Sequence, residues 1–264
     1  MKKGQRVQRF DVGEPFRHEL SLPEGPGPFP LLCITPILGQ LAFLEDFFLE
    51  RRFARFFSEK GFACALIHRP IFEFDSARDL HQIQNYLEES VARNKKVLDS
   101  LLARKEIDAT KIGTYGISFG AVVNSLWAAE DPRLKAHLFA LGGGNLPEIF
   151  LTSRDPLMRS HLAAITKKTG VDKNRLKALL REVLRSDPLD AARSISGENV
   201  CLHLALFDRV IRLRYGLAFR RALGNPETVF IPLGHYSSIL SVPFLKHQAL
   251  DFFRRKLNLI SAAS

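Results

Sequence analysis

The sequence predicts an α/β fold in which a mostly parallel, eight-stranded sheet carries helices on both faces. From residue 31 onward, apolar runs of strand length alternate with helical patterns, an order typical of parallel strands joined by right-handed crossovers. The runs are almost continuously apolar, as strands buried on both faces require. The predicted strands lie at about 6–12, 16–22, 31–35, 62–68, 111–117, 136–142, 200–207 and 228–233.

The elements follow in order along the chain. The first two predicted strands should form a hairpin, and the turn-rich stretch PEGPGPFP that follows them should connect it to the main sheet. The first helix carries three phenylalanines on one face, and the second has Ser76 and Asp79 at its start in capping-box spacing. The predicted helices lie at 43–60, 77–104, 119–130, 213–223 and 244–257.

Residues 145–197 interrupt this rhythm, because they separate two strands by far more than one crossover helix needs. We therefore treat 1–264 as a single domain with a helical insertion at 145–197. Within it, one strongly amphipathic helix could be a lid over a cleft, a packed helix or a membrane-surface helix. Its apolar side lacks the Trp and Phe of interfacial helices, and the pattern favours the lid. That side is formed by Leu176, Leu179, Leu180, Val183 and Leu184.

Composition and charge exclude several classes of protein. The chain is 46% hydrophobic and 25% charged, as globular domains are, and no apolar run reaches the roughly 20 residues of a membrane span. The basic N-terminus lacks the apolar region of a signal peptide, and the three cysteines lie in apolar runs. These features predict a cytoplasmic protein without disulfides.

The formal net charge of +10 does not by itself indicate a nucleic-acid partner. Ten Lys or Arg and five Asp or Glu lie between Ser153 and Arg193, so this segment holds about half of the excess. The sequence has no zinc finger, no RNP-like motif and no aromatic residues alternating with basic ones. A solvated basic face is the preferred interpretation, and no nucleic acid is predicted.

Residues 113–121, GTYGISFGA, connect a predicted strand to a predicted helix. A serine in such a tight turn crowds its neighbours, so the positions two before and two after it must be nearly free of side chain. Gly116 and Gly120 meet that demand around Ser118. The turn would present the Ser118 hydroxyl at the carboxyl edge of the sheet, beside the positive end of a helix.

A serine hydroxyl needs an imidazole base and a carboxylate that orients it. Asp208 and His235 follow the next-to-last and last predicted strands, which gives the chain order Ser, Asp, His. Taken alone, Asp208 could be a helix cap or turn residue, and His235 an ordinary loop histidine. Three matching residue types at strand-end loops favour a catalytic triad.

These motifs resemble the α/β-hydrolase superfamily over nearly the whole chain from about residue 5. The stretch KEIDATKIGTYGISFGAVV is similar to the segment around the nucleophile elbow of esterase-like and dienelactone-hydrolase-like members, and SDPLDAARSI and FDRVI are similar to stretches around their seventh strand. The resemblance implies that Ser118 is the nucleophile, Asp208 the acid and His235 the base.

The resemblance also implies an oxyanion hole built from two backbone N–H groups. One is the amide of Phe119, and the other comes from the loop after the third strand, TPILGQ. That loop lacks the His-Gly found in many members, and Pro36 has no N–H. Ile37 or Leu38 must therefore supply the second donor, and Ile37 is preferred.

No cofactor or metal is predicted. The sequence has no HExxH or CxxC with metal-ligand spacing, and GGGN at 142–145 lacks the spacing and position of a dinucleotide site. His68, His137 and His203 stand in or beside apolar strands and are expected to be core or edge histidines.

The sequence thus predicts a serine hydrolase that cleaves a carboxylic ester or related acyl compound through an acyl-enzyme. A peptidase or thioesterase of the same fold, or a non-catalytic binding member, remains the alternative. The partner is a small-molecule acyl substrate, and the basic insertion favours one that bears a negative group. FLEDFFLERRFARFF suggests an apolar wall beside the acyl pocket, although packing of a helix on the sheet explains most of these phenylalanines. The oligomeric state is not predicted.

Overall fold

The computed structural model describes residues 6–15, 17–38, 48–69 and 80–259. Within them, eight strands form one sheet in the order β1-β2-β4-β3-β5-β6-β7-β8. Strands β3 to β8 are parallel, and β2 runs antiparallel to both β1 and β4. The predicted eight-stranded, mostly parallel sheet is confirmed. The strands are β1 (Arg6–Phe10), β2 (His18–Leu22), β3 (Phe29–Thr35), β4 (Ala63–Leu66), β5 (Ile107–Ile117), β6 (Ala136–Ala140), β7 (Val200–Ala205) and β8 (Glu227–Ile231).

Helices cover both faces of this sheet. Alternate residues of the central strand β5 separate the two faces, because Ile112 packs with α2 and α3 whereas Tyr115 and Ile117 pack with α1 and α9. The described helices are α1 (Phe48–Ser58), α2 (His81–Leu102), α3 (Phe119–Glu130), α4 (Leu146–Thr152), α5 (Pro156–Thr169), α6 (Lys173–Val183), α7 (Pro188–Ala191), α8 (Leu213–Ala222) and α9 (Val242–Lys256). None of them is both long and apolar enough to cross a bilayer.

Five predicted strands extend two residues too far at their carboxyl ends, at 11–12, 67–68, 141–142, 206–207 and 232–233. Leu141 shows the reason, because it has left the extended conformation with φ of 54° and lines a cavity instead. Hydrophobicity alone does not distinguish the end of a buried strand from the wall of a cavity. The predicted cap residues Ser76 and Asp79 lie outside the described residues.

The segment between β6 and β7 holds α4 to α7. Its amphipathic helix α6 packs on α4: Leu176 and Leu180 are buried in the cluster that also holds Leu146 and Ile149. Helix α6 contributes none of the described residues that line the cavity at the sheet edge, whereas α4 and α5 do. The basic amphipathic helix therefore packs on another helix of the same segment, and the lid role predicted for it and for 145–197 stays a prediction.

Two strand histidines are buried and have no charged partner among the residues that the structure describes. His137 in β6 is 5% exposed and His203 in β7 is 0% exposed, and burial lowers the pKa of each from 6.5 to about 4. Neither ring nitrogen of His203 has a hydrogen-bond partner among the described residues. The folded chain therefore holds both imidazoles neutral at pH values where the unfolded chain protonates them.

We predict that stability falls as the pH drops from about 6.5 towards 4, because in this range the unfolded state binds more protons than the folded state. Between pH 7 and pH 5, each of the two histidines should lower the free energy of unfolding by about 2 kcal/mol. Urea unfolding should show that the free energy of unfolding of His203→Leu falls less between pH 7 and pH 5 than that of the unmodified chain. The control His247→Leu removes an exposed histidine. Equal losses in His203→Leu and the unmodified chain would contradict this account.

Candidate active site

Ser118, His235 and Asp208 meet at the carboxyl edge of the sheet, where β5, β8 and β7 end. Ser118 Oγ lies 2.9 Å from His235 Nε2, and His235 Nδ1 lies 2.6 Å from Asp208 Oδ2. The side chains of His235 and Asp208 are only 8% and 2% exposed. Three residues far apart in the chain thus form one hydrogen-bonded row of hydroxyl, imidazole and carboxylate.

Ser118 occupies a strained turn between β5 and α3. Its φ of 54° and ψ of −116° lie outside the regions that residues with a side chain favour. A Cβ at Gly116 would lie 2.2 Å from the carbonyl oxygen of Gly120, and a Cβ at Gly120 would lie 2.1 Å from that of Thr35. Because Gly116 has no Cβ, the turn can close. Because Gly120 has none, the loop after β3 can approach the start of α3.

Asp208 is held by the backbone that follows it. Its Oδ1 accepts hydrogen bonds from the N–H groups of Val210 at 2.7 Å and Ile211 at 2.8 Å, which leaves Oδ2 for His235. The adjacent loops are joined where the Phe207 N–H donates to the Leu233 carbonyl at 3.0 Å. The carboxylate therefore meets the imidazole in one orientation.

A compact turn supports His235. The Gly234 N–H donates to Ser237 Oγ at 2.9 Å, and the Gly234 carbonyl accepts from Ser238 Oγ at 2.7 Å. The next residue, Tyr236, donates from its hydroxyl to Asp155 Oδ2 at 2.5 Å, which links this turn to the N-cap of α5. Burial and the neighbouring Asp155 raise the pKa of the Tyr236 hydroxyl. Residues 145–197 are thereby attached to the loop that carries His235.

The loop after β3 lies beside Ser118, and both Ile37 and Leu38 line the same cavity as the serine. The Ile37 N–H donates to Oε1 of the buried Glu50 at 3.2 Å. The Ile37 carbonyl accepts two hydrogen bonds from the guanidinium of Arg69, with Nε at 2.7 Å. The N–H preferred on sequence as the second oxyanion donor is thus engaged by a carboxylate.

Sequence reasoning missed both partners of Ile37. Arg69 follows β4 at the carboxyl edge, so its position after a predicted strand was an available signal, whereas no pattern marked Glu50 in α1. It also missed a buried polar cluster behind the loop: Thr35 Oγ1 donates to Asn124 Oδ1 at 2.6 Å and accepts from Asn94 Nδ2 at 3.0 Å. These side chains join the end of β3 to α3 and α2.

A cavity of about 550 Å³ opens beside the triad, a size typical of small-molecule sites. Its wall is mostly aliphatic and aromatic. The described lining includes one carboxyl side chain, Asp155, and one imidazole, His235, and it contains no Lys or Arg. The described part of the lining therefore offers no cation for the anionic acyl group favoured on sequence, and it includes a carboxylate, which would repel such a group.

The described residues contain no group of three or more His, Cys, Asp or Glu side chains placed to hold a metal ion. His137 and His203 are embedded in the sheet, and His68 follows β4 with Nε2 3.6 Å from Glu19 Oε1. Ser118, His235 and Asp208 bring a hydroxyl, an imidazole and a carboxylate together at the sheet edge.

No family model matches the chain. Over 134 residues, which are 50% of this chain, it is 33% identical to Esterase FrsA of Escherichia fergusonii and 32% identical to Esterase FrsA of Escherichia coli O157:H7. The matched region is 30% of each relative, so the similarity covers less than a third of those proteins.

Solved structures match almost the whole chain. An acetyl xylan esterase from Paenibacillus sp. R4 has a TM-score of 0.69 at 13% identity and covers 96% of this chain and 88% of its own. An acylaminoacyl peptidase from Pyrococcus horikoshii has a TM-score of 0.69 at 16% identity, and the match covers 97% of this chain and 42% of the peptidase. A putative dienelactone hydrolase from Klebsiella pneumoniae has a TM-score of 0.62 at 16% identity, and the match covers 95% of this chain and 99% of the hydrolase. At these identities the likeness shows the fold alone: the chain has the same fold as these three hydrolases.

Proposed function

We propose that the chain is a serine hydrolase that cleaves a carboxylic ester through an acyl-enzyme on Ser118. The observation that carries this proposal is the row Ser118–His235–Asp208, with donor–acceptor distances of 2.9 and 2.6 Å. Hydroxyl, imidazole and buried carboxylate in this geometry form a nucleophile, its base and the group that orients the base. The similarity to Esterase FrsA agrees with an ester as substrate.

In the proposed mechanism, His235 Nε2 removes the proton from Ser118 Oγ as the oxygen attacks the ester carbonyl. The tetrahedral intermediate collapses when His235 returns that proton to the departing alkoxide, which leaves an acyl group on Ser118. Water then repeats the cycle: His235 takes its proton, hydroxide adds to the acyl carbon, and Ser118 leaves with the proton restored. The net reaction converts an ester and water into an acid and an alcohol.

Asp208 would hold the imidazole in the productive tautomer, with the proton on Nδ1 and the lone pair on Nε2 facing Ser118. It would also stabilise the imidazolium that forms when the serine proton moves. The two backbone N–H groups on Asp208 Oδ1 support this role, because they keep the carboxylate oriented while His235 changes charge.

For the oxyanion hole we propose the N–H groups of Phe119 and Leu38. Phe119 is the first residue of α3, where backbone N–H groups lack partners within the helix. The Ile37 carbonyl and the Leu38 N–H belong to one trans peptide and point in opposite directions. Because Arg69 binds that carbonyl, it fixes the direction of the Leu38 N–H and strengthens its dipole. The Ile37 N–H, bound to Glu50, is the weaker choice.

A peptidase or thioesterase would use the same row of residues, and one solved neighbour is an acylaminoacyl peptidase. No observation in the cavity favours an amide over an ester. Esters are the proposal because the relatives that reach 33% identity are esterases. Comparing p-nitrophenyl esters with thioesters and aminoacyl anilides separates the three classes of substrate.

We also propose that the protein acts in the cytoplasm. Cys33, Cys64 and Cys201 are free and buried, and burial raises the pKa of each thiol. Such thiols behave as small hydrophobic side chains and gain nothing from an oxidising compartment.

We predict that Ser118→Ala abolishes labelling by a fluorophosphonate probe and lowers ester turnover by at least about 10⁴-fold, because the nucleophile is removed. Gel fluorescence and p-nitrophenyl ester hydrolysis measure the two effects. Ser194→Ala, which changes an exposed serine, is the matched control. Labelling that persists in Ser118→Ala would mean that the nucleophile lies elsewhere, and an unlabelled parent chain would favour a non-catalytic binding protein.

We predict that Asp208→Asn lowers kcat by about 10³- to 10⁴-fold, because the amide favours the wrong tautomer of His235. Thermal unfolding should change much less than kcat, since the amide oxygen still accepts from Val210 and Ile211. The control Asp190→Asn alters a carboxylate on the exposed side of the insertion. A kcat that stays within a few-fold of the parent would reject Asp208 as the acid.

We predict that Arg69→Met lowers kcat by about tenfold or more with little change in KM, because the oxyanion donor acts mainly in the transition state. Arg69→Lys should recover part of the loss, since one donor to the Ile37 carbonyl remains. Arg104→Met is the matched control, because Arg104 contacts Gln8 in the N-terminal hairpin. If Arg69→Met changed KM and melting temperature but not kcat, Arg69 would have only a structural role.

A further inference from the structure

Most of the apolar residues that the structure describes as lining the cavity belong to one of two hydrophobic clusters, which lie on opposite faces of the sheet. One set packs with α2, α3 and α4, and we call its part of the cavity the α4 lobe. The other packs with α1 and α9, and we call its part the α9 lobe. The α4 lobe includes Ile83, Leu87, Val122, Leu146, Ile149 and Phe150. The α9 lobe includes Leu49, Phe53, Tyr115, Ile117, Ala140 and Val242.

Ser118 stands between the two lobes. Tyr115 and Ile117 precede it on β5 and face α1 and α9, whereas Val122 follows it in α3 and faces α2. The turn at Ser118 is the point where the chain passes from one set of walls to the other. An acyl carbon bound to Ser118 Oγ would therefore lie between apolar walls that belong to the two different clusters.

We infer that the substrate is a neutral ester with an apolar group on each side of the scissile bond, its acid chain in one lobe and its alcohol chain in the other. This inference rests on the proposed function, because it takes Ser118 as the attacking group. The tetrahedral carbon carries both the acyl chain and the departing oxygen, and these two substituents diverge from it. Two apolar compartments that meet at the serine fit two apolar substituents.

The polar groups of the cavity agree with this assignment. The Asp155 carboxylate already accepts hydrogen bonds from the Met158 N–H at 2.9 Å and the Tyr236 hydroxyl at 2.5 Å. It serves as the N-cap of α5 and as the link to the His235 turn. A second carboxylate on the substrate would be repelled there, and a neutral chain is not. In the described part of the lining, the remaining polar side chains are hydroxyl and phenol groups, apart from His235.

The expected effect of the length of a substrate chain on kcat/KM can be calculated. Burying one methylene group gives about a fourfold gain in kcat/KM, the ratio to which the transfer free energy of a CH₂ group corresponds. With two lobes, this gain should appear independently for the acid chain and for the alcohol chain. A cavity with a single apolar compartment would give this gain in kcat/KM for either the acid chain or the alcohol chain of the substrate, but not for both.

The experiment measures kcat/KM for two series of esters, one with a constant alcohol and lengthening acid, the other with a constant acid and lengthening alcohol. Variants then change one lobe at a time. Met158→Phe narrows the α4 lobe and Met158→Ala widens it, while Val242→Phe and Val242→Ala do the same for the α9 lobe. Val171→Phe is the control, because Val171 packs against the same cluster as Met158 without lining the cavity.

We expect kcat/KM of the parent chain to rise about fourfold per methylene in both series until a lobe is filled. The Met158 variants should shift the optimum length in one series and the Val242 variants in the other, with Phe shortening and Ala lengthening it. Val171→Phe should shift neither. If a Phe variant fails to fold, the Ala variant of the same residue still tests its lobe.

The inference is overturned if only one series responds to length, if both pairs of variants shift the same series, or if a dicarboxylate half-ester is preferred to its neutral diester. In each case, continued labelling of Ser118 by the fluorophosphonate probe would leave the proposed serine hydrolase intact. Loss of labelling in the parent chain would instead remove the proposed function itself.

Discussion

The site depends on one close contact, the approach of the backbone to itself around Ser118. The serine has a φ of 54°, and the turn closes because Gly116 presents no Cβ to the carbonyl of Gly120. Gly120 in turn presents none to the carbonyl of Thr35, so the end of β3 reaches the start of α3. A methyl group at either glycine would separate the hydroxyl from the sheet edge or displace the loop that carries Leu38. The strain at one residue is maintained by two glycines and by the packed sheet beneath them.

Around that turn, buried polar groups hold each part of the site in one orientation. Thr35 is joined to α3 and α2 through Asn124 and Asn94, and Asp208 is held by the N–H groups that follow it. Each of these groups lies where an unpaired polar atom would be costly, so the hydrogen bonds define a single arrangement rather than merely adding stability. The strand-end loops act as a rigid frame, and the apolar helices on both faces of the sheet leave the cavity open beside it.

Much of this was predictable from local pattern. The eight strands and the turn at Ser118 follow from apolar runs and from glycine spacing, since both are properties of neighbouring residues. Asp208 and His235 could be proposed because they end strands that were themselves predictable. The amphipathic helix α6 was predicted as a helix, and its leucines pack on α4, while α4 and α5 line the cavity. A hydrophobic face indicates that a helix is covered, not what covers it.

The sequence by itself determined the sheet, the turn at Ser118 and the three residue types that could act there. Strand periodicity and glycine spacing depend only on residues that are close together in the sequence. Only the tertiary structure brings Glu50 and Arg69, which belong to separate elements, to the N–H and the carbonyl of Ile37, and the proposed choice of oxyanion donor rests on these two contacts. The two apolar lobes were likewise decided by tertiary structure. Their walls come from helices on both faces of the sheet, and hydrophobic residues look alike in sequence whether they pack against one another or enclose a cavity.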